Sequence, residues 1–285
     1  MDYRVGALLP FLTRQEVHGF LQAVPVRDEP RAVFARWLEM KAAAVLPAWL
    51  PPYPYAEMPE PLLARVTERL RRLPVVASNY FDEPRPKVAY VALDAVVATQ
   101  YHVDLDYVDV LTAEAAAADS PRRLAAFCLP QPHLPDPLVT GTRTVQQVLV
   151  DDIAHLAGRA EARRLNRGVV ELRVRLIPQG QFLSCAEAAT PAGPLLVAGN
   201  GTHRMLALLR AGHTHAPLLV RTAFGAEDLG LGRPAGFSSA VLGSRRPPRV
   251  ADFLDPELCA VLHAAKALRG SRLTLTLDNE VPRTP

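Results

Sequence analysis

Apolar positions recur at helical spacing in three stretches near the N-terminus. Over 13–22, "TRQEVHGFLQ", Thr13 stands at a capping position and Glu16 follows three residues later, the pair of a capping box, so a short helix is expected. In "EPRAVFARWLEMKAAAVLPAWL", Val33, Phe34, Trp37, Leu38 and Lys41 fall at helical spacing among polar positions, and Pro47 ends or kinks the helix. "PPYPYAEMPEP" is a proline-rich connector. In "PLLARVTERLRRLPVV", Leu62, Leu63, Val66, Leu70 and Leu73 make one stripe. Arg69, Arg71 and Arg72 near its end suit the negative pole of a helix dipole and could also contact an anion. Residues 1–83 therefore read as a helical N-terminal region.

The pattern changes after residue 83. "KVAYVAL" is a strand, and "DAVVATQ" a short helical turn starting at Asp94. "DLDYVD", with Asp104, Asp106 and Asp109, reads as an acidic loop. "DSPRRLAAFCL" is a short helix capped by Asp119 or Ser120. "TVQQVLVDDIAHLAGRAEARRLN" is amphipathic, with Val145, Val148, Leu149, Ile153 and Leu156 on one face of a helix and a basic end. "VVELRVRLIP" alternates apolar and charged residues, the period-two signature of a half-buried strand. "GPLLVAG" is a strand, "THRMLALLRAG" a helix closed by Gly212, and "APLLVRTAF" the next strand. Gly and Pro then dominate until "DPELCAVLHAAKALRG", read as a helix, and "SRLTLTLDNEV", read as a closing strand. The expectation is an α/β (α+β) chain in three parts: residues 1–83, 84–222 and a C-terminal extension over 223–285.

Composition narrows the functions this pattern can serve. With 49% hydrophobic and 21% charged residues, a 285-residue chain can bury a sizeable core. A net charge of +3 is far below that of a nucleic-acid coat, and with 6% aromatics stacking on single strands is poorly supported. The 27 prolines, about twice average usage, imply extended connections and sharp helix ends. Cys128, Cys185 and Cys259 are far apart and in no metal spacing, so they read as reduced thiols of a cytoplasmic protein. "MDYRVGALLPFLTRQEVHGF" lacks the layout of a signal peptide, and no run of apolar residues is long enough to span a membrane.

The stretch with most chemistry is 197–220, "VAGNGTHRMLALLRAGHTHAPLLV". A buried strand ends at Gly199 and a helix begins near Thr202, with Gly-Asn-Gly between them. Glycine permits positive φ and close approach of a ligand to the backbone. The first N–H groups of a helix have no intrahelical partner and favour an anion. Arg204 adds a fork matched to phosphate or carboxylate oxygens, and His203 a titratable donor. The competing reading is a tight turn in which Asn200 or Thr202 simply caps the helix.

The order "PLLVAG", "NG", "HR", "MLALLR", "AG", "APLLV" resembles the signature segment of the ParB/sulfiredoxin superfamily. Upstream, "KVAYVALDAVVATQYHVD" is similar to that family's opening box, and the resemblance covers residues 86–222. It implies a small α/β domain whose helix N-terminus binds nucleotide phosphates. Family members bind or hydrolyse CTP, transfer a phosphoryl group from ATP or ADP to a small acceptor, or carry a nuclease label. Carried over, Gly199, Asn200, Gly201, Thr202, His203 and Arg204 would line the phosphates, with Asp94 and Gln100 in the box that faces them. Thr202 stands where sulfiredoxins have a cysteine, which speaks against repair through a thiol. No paired-helix pattern follows Val220, which speaks against sequence-specific DNA binding of the partition-protein kind.

The resemblance thus implies binding of ATP, ADP or CTP with Mg²⁺, followed by hydrolysis or by phosphoryl transfer to a small-molecule acceptor. His203 would donate to a phosphate oxygen or act as acid, and Asp94 would be general base or Mg²⁺ ligand. Asp104 is the metal candidate within the acidic segment. The alternatives are a ligand-regulated binding module that engages a partner protein or a second copy, and a metal-dependent nuclease. No membrane partner is expected. His213 and His215 could share a metal or lie idle in a loop. Asp252, Asp255 and Glu257 could hold Mg²⁺ or form a helix cap with Pro256. Arg245, Arg246 and Arg249 could touch phosphate or belong to a flexible surface segment.

Overall fold

A computed structural model describes residues 2–44, 46–49, 53–71, 87–129, 138–141, 156–166, 169–178, 182–190, 193–223 and 236–265. The first elements in chain order are β1 (Asp2–Ala7), α1 (Arg14–Ala23), α2 (Pro30–Ala43), β2 (Tyr55–Ala56), α3 (Glu60–Arg71), β3 (Lys87–Ala92) and β4 (His102–Asp104). Then come α4 (Leu105–Ala116), α5 (Pro121–Cys128), β5 (Leu138–Gly141), β6 (Leu156–Asn166), β7 (Val169–Pro178) and β8 (Ser184–Thr190). β9 (Gly193–Asn200), α6 (Thr202–Arg210), β10 (His215–Thr222), α7 (Ser239–Leu242) and β11 (Ala260–Ala265) complete the order. The chain is thus mixed α and β, as its patterning implies. Among the described residues, no helix is long and apolar enough to cross a membrane.

Two compact units are present: Met1–His133 with Gly180–Lys266, and Leu134–Gln179 with Ala267–Pro285. The first unit takes in residues from all three parts read from the hydrophobic pattern, and its two ends pair. β1 lies between β11 and β4, with Val5 opposite Leu262 on one side and Asp104 on the other. The sequence "DYRVGA" carries no clean alternation, because its last three residues are buried whichever way they point. The second unit contains the antiparallel sheet β5–β7–β6. There the basic end of the expected amphipathic helix, Leu156–Asn166, is a strand paired along β7, while 144–155 lies outside the described residues.

Three further expectations are corrected. Over its described residues, 255–265, "DPELCAVLHAAKALRG" is not a helix: Ala260, Leu262 and Ala264 point inward, Val261 and His263 outward, and the strand pairs with β1. An alanine-rich segment with helical propensity is held extended by a partner strand and a one-sided core, which outweigh local preference. Asp255 therefore starts no helix and instead accepts from the Glu257 amide at 2.8 Å. "DLDYVD" is not a loop but the start of α4, with Asp104 as its N-cap accepting from the Tyr107 amide at 2.9 Å. The strand "SRLTLTLDNEV" lies outside the described residues.

The capping signals hold, whereas Leu38 and Leu63, placed on the apolar stripes of α2 and α3, are exposed. Thr13 and Glu16 form the capping box of α1, and Ser120 caps α5. The larger sheet runs β2–β3–β10–β8–β9, with β10 antiparallel to β3 and parallel to β8. α6 carries the chain from edge strand β9 to central strand β10, and packs against α4. Met205, Leu206, Ala207 and Leu208 of α6 are fully buried, which fixes the helix and so the turn that precedes it.

Candidate functional site

The turn between β9 and α6 is built around Gly201, whose φ of +89° is in the left-handed region. A Cβ there would lie 2.6 Å from Leu183 Cδ2 and 3.1 Å from the Phe182 carbonyl oxygen, so only glycine fits. Gly201 is also the N-cap of α6, so neither Asn200 nor Thr202 fills that place. Thr202 is buried as the first helical residue. The helix starts without a side-chain cap, and its leading amide N–H groups have no acceptor within the helix.

The two segments singled out upstream and downstream, about 100 residues apart, lie side by side. Val97 bridges Val197 in parallel: its amide donates to the Leu196 carbonyl at 2.9 Å, and its own carbonyl accepts from Ala198 at 2.8 Å. Thr99 Oγ1 donates to the Ala198 carbonyl at 3.0 Å. Farther along, the Asp104 amide donates to His203 Nε2 at 3.0 Å. Gln100 lies in this run, and its side-chain Nε2 is buried with no hydrogen-bond partner.

The His203–Arg204 pair faces the protein. Because His203 Nε2 accepts a hydrogen bond from an amide, that nitrogen carries no proton and the ring proton is on Nδ1. The ring is also tilted against Tyr107, with centroids 5.6 Å apart. Arg204 Nη1 donates to the Phe127 carbonyl at 2.9 Å, and its guanidinium lies 5.3 Å from the Phe127 ring centroid. Phe127 is in the last turn of α5, whose terminal carbonyls need outside donors. The Cys128 carbonyl takes the Leu183 amide at 2.7 Å, and the Leu129 carbonyl takes Arg69 Nη2 at 3.3 Å. Arg204 and Arg69 therefore complete the C-terminal end of α5, where cations are favoured by the helix dipole. Sequence patterning located α5 but carries no mark of which distant side chains would meet its carbonyls.

The expected acids scatter. Asp94 is exposed on a 3₁₀ turn, Leu93–Ala95. The Leu93 amide donates to the Thr214 carbonyl, so Asp94 lies beside the loop that leaves the C-terminal end of α6, about 14 Å of helix away from Gly201. Asp104 adjoins His203 through its backbone, but its carboxylate caps α4. Asp106 pairs with Arg4 at 2.7 Å, and Asp109 pairs with Arg4 and, at 2.6 Å, with Arg210. Asp106 lies below the usual carboxylate range because Arg4 donates to it. Among the described residues, no three His, Cys, Asp or Glu side chains gather to hold a metal.

The remaining candidates resolve into packing. His213 Nε2 contacts the Ala115 carbonyl at 3.1 Å, whereas His215 stacks on Tyr90 at 5.3 Å. Arg246 and Asp252 are buried and paired through both guanidinium nitrogens, at 2.9 and 2.7 Å, so "RRPPR" is not a flexible surface segment there. Arg249 adds three further hydrogen bonds to Asp252, one of them from its backbone amide. All three thiols are free and buried, and burial pushes them up, Cys259 to about 12. They are poor nucleophiles at neutral pH.

With this geometry in place, the comparisons contribute no relative: no family model matches the chain, and none of the curated proteins or solved structures matches it.

Proposed function

We propose that the protein binds a nucleotide, ATP, ADP or CTP with Mg²⁺, with its phosphates at the Gly199–Arg204 turn, and hydrolyses it or passes its phosphoryl group to a small acceptor. The finer fold assignment, a ParB/sulfiredoxin-like domain, belongs to the same proposal. One observation carries it: the two segments on which that resemblance rests meet through Val97–Val197, Thr99–Ala198 and Asp104–His203. Added support comes from a helix start with no side-chain cap, at a glycine where a Cβ has no room. In this reading the leading amides of α6 and the unspent Nε2 of Gln100 meet phosphate oxygens. His203 and Arg204 hold the turn against α4 and α5 through Asp104 and Phe127.

A second reading, binding without chemistry, is favoured by the place of Asp94 beyond the far end of α6. Calorimetric titration with ATP, ADP, CTP and GTP in the presence of Mg²⁺ tests the binding. Phosphate release in the same mixtures tests the chemistry. Heat without release selects the binding module; no heat with any of the four removes the nucleotide reading.

A further inference from the structure

A second site lies away from that turn, on the sheet face near edge strand β2. A cavity of about 810 Å³ is lined there by Tyr53, Tyr55, Met58, Lys87, Tyr90 and Glu187, among others. The register explains how the sheet assembles it. Lys87 stands opposite Val220 and Glu187 opposite Thr222 on the two flanks of β10, so both project from one face. Tyr55 stands opposite Val91, two pleats along β3 from Lys87, and joins them on that face.

Two polar atoms in this wall are buried with no hydrogen-bond partner, Tyr55 Oη and Glu187 Oε2. Buried polar groups are nearly always satisfied, so each such atom calls for a partner. The cation beside them is a poor fit. Lys87 Nζ lies 3.8 Å from Glu187 Oε2, beyond hydrogen-bond length, and 5.2 Å from the Tyr55 ring centroid. Its side chain is 60% exposed, so displacing it costs little packing. The lining carries Glu57 and Glu187 against Lys87, a net negative charge. Around this are aromatic and apolar walls: Tyr53, 75% exposed and edge-on to Tyr55 at 5.6 Å, with Met58, Leu63 and Pro194.

We infer that this cavity binds a small organic ammonium on an apolar or aromatic body, and that the Lys87 ammonium is its internal stand-in. A ligand ammonium is not tethered to β3, so it can close to hydrogen-bond distance of Glu187 Oε2 and Tyr55 Oη while remaining over the Tyr55 ring. The apolar body then covers Tyr53, Met58 and Leu63. Such cavities, of a few hundred cubic ångströms with few convergent polar groups, are the usual form of small-molecule sites.

The test uses the full chain and phenethylamine, titrated by calorimetry and by NMR shifts of residues lining the cavity. Phenethylamine is expected to bind, and 2-phenylethanol and 3-phenylpropionate to bind at least about tenfold more weakly. Glu187→Gln weakens the amine about tenfold, and Tyr55→Phe weakens it about threefold. Lys87→Ala has the opposite sign and tightens it, because the internal competitor is gone. Thermal melts confirm that each variant is folded, and Lys87, being exposed, keeps the test open if Glu187→Gln does not fold. Tighter binding of the carboxylate, or weaker amine binding in Lys87→Ala, overturns the proposal, as does absence of amine binding.

Discussion

The Gly199–Arg204 turn and the Arg246–Asp252 segment both combine arginine with a tight backbone, and both read in sequence as places for an anion. They differ in what fills the anion's position. At Arg246 the anion belongs to the chain: Asp252, 1% exposed, accepts two hydrogen bonds from the Arg246 guanidinium and three from Arg249. At Arg204 a carbonyl and an aromatic ring are among the partners, and the helix beside it starts at a glycine, which brings no side-chain cap of its own. Cationic residues on a loop are therefore weak evidence for a ligand until their internal acceptors have been counted. A closed account means architecture; a helix start at a glycine that admits no side chain leaves room for a bound anion.

The largest expected effect belongs to the closed site. Asp252→Ala leaves two guanidinium groups without their buried carboxylate and is expected to cost about 3–5 kcal/mol, the scale for breaking a buried pair from one side. Denaturant unfolding measures it. A loss under about 1 kcal/mol would show that water replaces the carboxylate and that the contrast with the α6 turn is false.

Next comes Gly201→Val, expected to cost about 2–3 kcal/mol through strain at φ +89° and the 2.6 Å approach to Leu183. Gly199→Ala is its control. A Cβ at Gly199 meets Ser184 Oγ at 3.1 Å, a contact a small shift relieves, so stability falls by less than half as much. If the two variants melt alike, the left-handed geometry is not what fixes the turn.

Legibility in the sequence followed how local the physics was. The capping box of α1, the helix with Gly212 behind it and the alternation of β7 were readable because neighbouring residues decide them. β1 and β11 were not, because each is a strand on account of the other: Val5 and Leu262 are 257 positions apart, and Ala-rich "AVLHAA" alone favours a helix. The turn at Gly201 was visible as Gly-Asn-Gly before an apolar run. The positions of its companions were not. Asp94 and Gln100 are six residues apart, yet one lies by Thr214 and the other continues from Thr99 beside Ala198. The Tyr55–Lys87–Glu187 cavity was hidden for the same reason, since its charged members come from strands separated by 100 positions.

Arg204→Ala is the smaller perturbation that sharpens the comparison most. Removing a charged donor from the Phe127 carbonyl at the end of α5 is expected to cost about 1–2 kcal/mol of stability. If Arg204 only completes α5, nucleotide affinity corrected for stability stays within about twofold of the parent. If it leaves Phe127 to meet phosphate, affinity falls at least about tenfold. Calorimetry of the folded variant separates the two, and a variant as stable as the parent would contradict the capping role.

The smallest effect comes from a helix start whose anion is internal, the counterpart to α6. Glu16 accepts from the Thr13 amide at 2.7 Å and from the Ser238 amide at 3.1 Å, serving the N-terminus of α1 and the N-cap residue of α7 with one carboxylate. Burial acts to raise its pKa, but the hydrogen bonds from Thr13 and Ser238 together outweigh burial and hold it below the ordinary glutamate value. A carboxylate depressed in the folded state contributes its full stability above the unfolded pKa and loses it as pH falls through the folded one. Glu16→Gln should therefore cost about 0.5–1 kcal/mol at neutral pH, the scale of a cap. That difference should narrow on acidification from about pH 5 downward and vanish once Glu16 is protonated in the folded parent. Thermal melts of parent and variant across this range provide the measurement. A difference that persists unchanged to low pH would mean that the side chain's shape, not its charge, holds these two amides.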